Sequence, residues 1–339
     1  MSERKPIDVV REAIQNRPPG RVPVIPLVGL VSSRLSNHSL KDLVHDADKQ
    51  IKSQLGMLKE YGYDGVITCM DLTVEAEMLG AGVEFKDAEF PYVNEHPFEN
   101  VEGIFDASFD DIHGSRLGVV IDSIEGLVDA VGETHLVSSY VIGPFTLAGH
   151  LLGMNKLMEL TIEDPETAKD VINHCQKILR PYIEAQIEAG SHNVIVLEPT
   201  ASTSIISPRF FEMYALANLR KINTMIHEKE SLATLHICGH TTPILELMVG
   251  TEADALSLDS AVSLNVARQR IDRKATIIGN VDTSTMLTGT PDEVAEESKQ
   301  CIQDTNATEG GFILSTGCDI PIEIPLENLR AHVHAALQE

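Results

Sequence analysis

Positive charge is scarce in this chain: 26 Lys plus Arg stand against 51 Asp plus Glu, leaving a formal net charge of -25. Such a field repels phosphate backbones and anionic membrane surfaces alike, so nucleic-acid binding is not expected. The acidity reads first as a solubility feature, although it allows a partner to dock through local patches. Long hydrophobic runs are missing too. No apolar stretch approaches the roughly 20 residues needed to cross a bilayer, and the opening MSERKPIDVV lacks the apolar core of a signal peptide, so a cytoplasmic protein with no membrane contact is expected. Cysteines number only five (Cys69, Cys175, Cys238, Cys301, Cys318), an odd count that argues against a disulfide framework and for metal binding or burial. Internal repeats and low-complexity tracts are absent.

What is present is ordinary globular composition, 43% hydrophobic and 23% charged over 339 residues, enough for a substantial core. Short β-rich apolar runs recur at 22–28, 64–68, 136–142, 193–199, 233–238, 255–259, 275–281 and 311–317, which makes eight candidate strands. Helical patterns separate them, including SLKDLVHDADKQIKSQLGMLKEYG, SIEGLVDAVG, DPETAKDVINHCQKILRPYIEAQIEAG, SPRFFEMYALANLRKINTMIHE and PDEVAEESKQCIQDT, several opened by Ser, Asp or Pro. Strands alternating with helices imply a parallel sheet, and eight such units favour a (β/α)8 TIM barrel over an open doubly wound sheet. The expected architecture is one domain over 1–339, with residues 1–20 as an N-terminal helical extension and residues 72–120 as an insertion after strand two, a lid or partner-binding element.

The strongest chemical signal is HICGH at 236–240, ending the fifth candidate strand. His236 and Cys238 are two apart in an extended segment, so their side chains leave the same face and can share one ion. Cys318 follows the eighth strand in STGC. In a barrel the strand C-termini face one pocket, where His, Cys and Cys make a zinc donor set with a position left open for catalysis. Asp259, at the end of strand six, is the candidate for that remaining position until substrate displaces it. The bland alternative is a core histidine and two buried cysteines. His240 is left out of the metal set, and Cys69, Cys175 and Cys301 read as structural.

Other polar residues also fall at strand ends: Asp71 after strand two, Tyr140 in strand three, Glu198 after strand four and Asn280 after strand seven, with Asp282 beyond it. Each alone is as well explained by a helix cap or a loop amide, but together they suggest a polar pocket. Asp71, Glu198, Tyr140 and Asn280 are the candidates for orienting a substrate or shuttling its proton.

HICGH, GPFTLAGHLLG, DLTVEAEMLG, EPTAS with ISPRFF, and GCDIP with PLENLRA together resemble the uroporphyrinogen decarboxylase superfamily over nearly the whole chain. Within it, the HxC pair and the distant GC cysteine are similar to zinc-dependent methyltransferases that exchange methyl groups with corrinoid proteins. The decarboxylases lack this zinc motif and carry an arginine-bearing segment for substrate carboxylates where this chain has PVIPLVGLVSSRL, which disfavours decarboxylation. The resemblance implies zinc on His236, Cys238 and Cys318, Asp259 as fourth ligand, and a corrinoid carried by a partner protein. Coenzyme M enzymes tend to have Glu at the Asp259 position. On that variation the leading expectation is methyl transfer from a methoxylated or methylated donor to cobalt, as in O-demethylation. The second expectation is methylcorrinoid:coenzyme M transfer, and the third, of another class, is a non-catalytic corrinoid- or tetrapyrrole-binding barrel with a closed structural zinc. A homodimer is the default for a barrel of this size.

Overall fold

The computed structural model describes residues 4–36, 38–86 and 90–337, so the first three residues of the expected extension and residues 87–89 of the expected insertion lie outside the described residues. Its strands, in chain order, are β1 (Gly65–Ile67), β2 (Gly82–Glu84), β3 (Tyr92–Glu95), β4 (Leu136–Ile142), β5 (Asn193–Leu197), β6 (Leu232–Ile237), β7 (Ala255–Leu258), β8 (Thr276–Val281) and β9 (Phe312–Thr316). Seven of them form one sheet in the order β1-β4-β5-β6-β7-β8-β9, every pair parallel.

The eighth stave is the segment 22–28, expected as a full strand. It makes only one bridge, Val24 to Leu314, supported by Ile25 N–H to Leu314 O at 2.9 Å and Leu314 N–H to Pro23 O at 2.9 Å. On its other side Val24 O accepts the Asp64 amide at 2.8 Å, just before β1, so the sheet closes. Pro23 and Pro26 have no amide hydrogen, which keeps this stave from building a longer ladder.

Parallel barrel strands are buried on both faces, which explains their nearly unbroken apolar runs. Alternation still sorts the side chains. Val137, Val141, Val194, Val196, Leu235 and Ile237 belong to the large core between sheet and helices, whereas Leu136, Tyr140, Ile195, Leu197 and Ile313 belong to a separate cluster inside the barrel. That interior cluster also takes Val10 and Ala13 from the helix Pro6–Ile14, whose Ala13 O accepts the Gly311 amide at 2.8 Å, so the N-terminal extension closes the bottom of the barrel.

The excursion after β1 contains the helix Val74–Met78, the antiparallel hairpin β2–β3 and the short helix Glu102–Phe105. It ends earlier than 120. The helix Arg116–Val131 starts at Arg116 because the Ser115 side chain accepts the Leu117 amide as its cap. Among the described residues, no helix is long and apolar enough to cross a membrane.

Candidate metal centre at the barrel mouth

β6 delivers His236 and, one residue past its end, Cys238. With Thr234 and His236 lining the barrel interior, the period of two carries Cys238 to the same face. Gly239 then turns the chain at φ 79°, a left-handed conformation that glycine adopts without steric cost, and its amide donates to Asp259 Oδ2 at 2.8 Å. Cys318 comes from the turn after β9. Gly317 is needed just before it, because a Cβ there would stand 2.6 Å from the Ser260 amide nitrogen.

These placements bring three donor atoms within 4.8 Å of one another. His236 Nε2 lies 3.1 Å from Cys238 Sγ and 4.0 Å from Cys318 Sγ, and the two sulfurs are 3.7 Å apart. His236 is buried, while both cysteines are partly exposed toward the mouth. On the far side of the ring, His236 Nδ1 lies 2.9 Å from Ser257 Oγ. The hydrogen bond between the thiols lowers the Cys238 pKa and, together with burial, raises that of Cys318.

Asp259, expected as a fourth ligand, is not in this group among the described residues. Its carboxylate is engaged by backbone instead, accepting the Gly239 amide through Oδ2 and the Ala261 amide through Oδ1 at 2.9 Å. It braces the turn that carries Cys238. His240 is exposed, and Cys69, Cys175 and Cys301 are buried away from the triad.

The four residues proposed for substrate handling divide. Tyr140 points into the barrel, shares a cavity with His236, Leu27, Met70 and Leu197, and has a hydroxyl with no hydrogen-bond partner among the described residues. Burial raises its pKa well above the ordinary value, so it stands there as a neutral phenol. Glu198 is wholly committed to the N-terminus of the helix Pro144–Leu152, accepting the amides of Phe145 and Thr146 at 3.1 and 2.7 Å and the Thr146 hydroxyl at 2.5 Å. Burial outweighs those bonds and pushes its pKa up to about 7. Asn280 ties down the loop after β7, donating to Asp259 O at 2.9 Å and Val262 O at 2.7 Å. Asp282 caps the helix Thr283–Thr288.

Asp71 is paired. Arg116 binds it through Nη1, reaches Thr73 Oγ1 at 2.9 Å and Glu77 at 2.5 Å, and lies over the Phe85 ring, with its centre 4.9 Å away. Asp71 in turn accepts the Thr73 amide and hydroxyl at 2.8 and 2.6 Å. Arg116 carries no local signal in the sequence, since it sits in the stretch 72–120 read as an insertion.

Asp319 was also missed, although its place beside Cys318 in GCDIP is a signal. It is buried, with Oδ2 accepting the Gly29 amide at 3.2 Å and Oδ1 without a partner among the described residues, and burial raises its pKa well above the carboxylate range. Glu75 is likewise buried, bonded through one oxygen to the Ile142 amide at 2.9 Å and pushed up to about 8 by burial.

Fold and site together define a closed parallel α/β barrel with a His-Cys-Cys centre among the C-terminal ends of its strands. The chain belongs to the uroporphyrinogen decarboxylase (URO-D) family, whose model matches residues 5–338. A methylcobamide:CoM methyltransferase, MtbA of Methanosarcina mazei, is 30% identical over 342 residues, covering 99% of this chain and 98% of its own. A methylated-thiol–coenzyme M methyltransferase of the same organism is 29% identical over 78% of this chain and 70% of its own. Among solved structures, a methyltransferase from Methanosarcina mazei superposes with a TM-score of 0.91 at 25% identity, covering 99% of both chains.

Proposed function

We propose that this corrinoid-dependent methyltransferase moves a methyl group from the cobalt of a corrinoid, carried by a partner protein, to a thiol of the coenzyme M kind held at a zinc ion on His236, Cys238 and Cys318. The observation that carries the metal is the size of the donor triangle. Zinc with bonds of about 2.3 Å to sulfur and about 2.0–2.1 Å to nitrogen spans roughly 3.8 Å between two tetrahedral sulfurs and roughly 3.6 Å from sulfur to nitrogen. The site offers 3.7 Å between sulfurs, with 3.1 and 4.0 Å from sulfur to nitrogen. Three protein donors with no fourth side chain in the group among the described residues make an open site, the pattern of catalytic zinc and not of a closed structural one.

Bound there, zinc would supply Lewis acidity that keeps a thiol deprotonated and nucleophilic at neutral pH. The chain's residues do the rest. His236, Cys238 and Cys318 would hold the ion, and the apolar side chains of Leu27, Met70 and Leu197 line the cavity that reaches His236 from the barrel interior. Transfer forms a sulfur–carbon bond as the cobalt–carbon bond breaks, its electron pair staying on cobalt, so the mouth must admit a corrinoid in line with the sulfur. We take the insertion after β1, which leaves the C-terminal end of that strand, as the element that would order that approach.

The relatives' named reactions support the thiol acceptor over a methoxylated donor. The lean toward O-demethylation drawn from Asp259 loses its footing, because that carboxylate is spent on the amides of Gly239 and Ala261. The test is zinc content of wild type and Cys238→Ser, with methylcobalamin demethylation by coenzyme M followed spectrophotometrically. Stoichiometric zinc, lost in the variant together with thiol-dependent demethylation, is expected. Zinc without thiol activity would overturn the acceptor, and no zinc in the wild type would overturn the metal.

A further inference from the structure

His236 and Ser257 are register partners on the adjacent parallel strands β6 and β7. Both line the barrel interior, and the hydroxyl oxygen sits 2.9 Å from His236 Nδ1 while Nε2 faces the two sulfurs. A neutral imidazole carries one proton, and the nitrogen that binds a metal must be the one without it. The proton must then sit on Nδ1, where Ser257 is the acceptor in reach.

We propose that Ser257 is a positioning residue that holds His236 as its Nδ1–H tautomer and aims the Nε2 lone pair at the space between the Cys238 and Cys318 sulfurs. This rests on the metal reading above. β-strand register makes the arrangement rigid: the two Cα positions are fixed by the β6–β7 ladder, so the hydroxyl needs only its own rotamer to meet the ring. Hydrogen-bond partners on the far side of a ligating histidine typically account for about 10- to 100-fold in metal affinity.

The experiment compares wild type, Ser257→Ala and Ser257→Thr, each ¹⁵N-labelled at histidine. Long-range ¹H–¹⁵N spectra of the metal-free proteins report the His236 tautomer, with His236→Gln identifying its signals. Chelator competition reports zinc affinity, and circular dichroism confirms that each variant is folded. Wild type and the threonine variant, whose hydroxyl is retained, are expected to show the Nδ1–H form. The alanine variant is expected to lose it and to bind zinc about 10- to 100-fold more weakly. An alanine variant that keeps both the Nδ1–H tautomer and wild-type affinity overturns the assignment. If the wild type binds no zinc, the metal reading fails by itself. The tautomer spectrum then decides Ser257 alone: the Nδ1–H form retained in the alanine variant overturns the role, and its loss supports it.

Discussion

The Glu198 carboxylate sits on the N-terminus of the helix Pro144–Leu152 with the Thr146 hydroxyl donating to it at 2.5 Å, which makes it a cap between two elements of the barrel wall. A helix N-terminus favours negative charge, yet full burial wins here and raises the pKa from 4.5 to about 7. The folded state therefore holds the proton more tightly than the unfolded chain. That stability is fully present below pH 4.5 and is lost as pH rises through about 7. Glu198→Gln removes the titration and turns an amide donor toward backbone donors. It should be about 1–3 kcal/mol less stable than wild type at pH 5, with a smaller gap at pH 8. Urea unfolding at the two pH values checks this, and a gap that does not narrow would refute it.

Arg116 and Asp71 form a buried pair, their side chains 7% and 3% exposed. Removing the cation leaves the buried Asp71 with only the Thr73 amide and hydroxyl as donors and takes the ion pair from Glu77. Arg116→Met is expected to cost about 3–5 kcal/mol, the usual loss when one partner of a buried pair is deleted. Asp71→Asn should also be read in denaturation midpoint before it is read in turnover. An Asp71→Asn protein with unchanged stability and reduced kcat would return Asp71 to the substrate-handling set.

Asp259→Asn separates bracing from ligation. An amide oxygen can still accept one of the two backbone amides, so the expected result is full zinc content with a stability loss of about 1 kcal/mol. Loss of zinc at intact stability would make Asp259 a ligand after all.

Much of this was legible locally. His236 and Cys238 share a face because a strand repeats every two residues, and that follows from spacing alone. The start of 291–305 was legible too, in the Pro291 that opens it, and the structure adds a capping box of Thr290 and Glu293 there. Local signals failed where the competing factor was remote. The segment 22–28 has the apolar run of a strand, and although its two prolines are a local sign of a short ladder, the neighbours it bridges are supplied only by the closed sheet. Arg116 was invisible because an isolated arginine before a helical pattern says nothing about the carboxylates that will meet it.

The sequence by itself determined the class of fold, through eight apolar runs alternating with helical ones, and the donor types, through HxC and a cysteine after the last strand. Tertiary structure decided what each donor and carboxylate does. Residues 238 and 318 are brought to 3.7 Å by sheet closure, Ser257 meets His236 by register, and Asp259 is drawn off by the Gly239 and Ala261 amides. Periodicity is a property of neighbours along the chain, whereas hydrogen-bond partners and burial, which set these roles, belong to contacts across it.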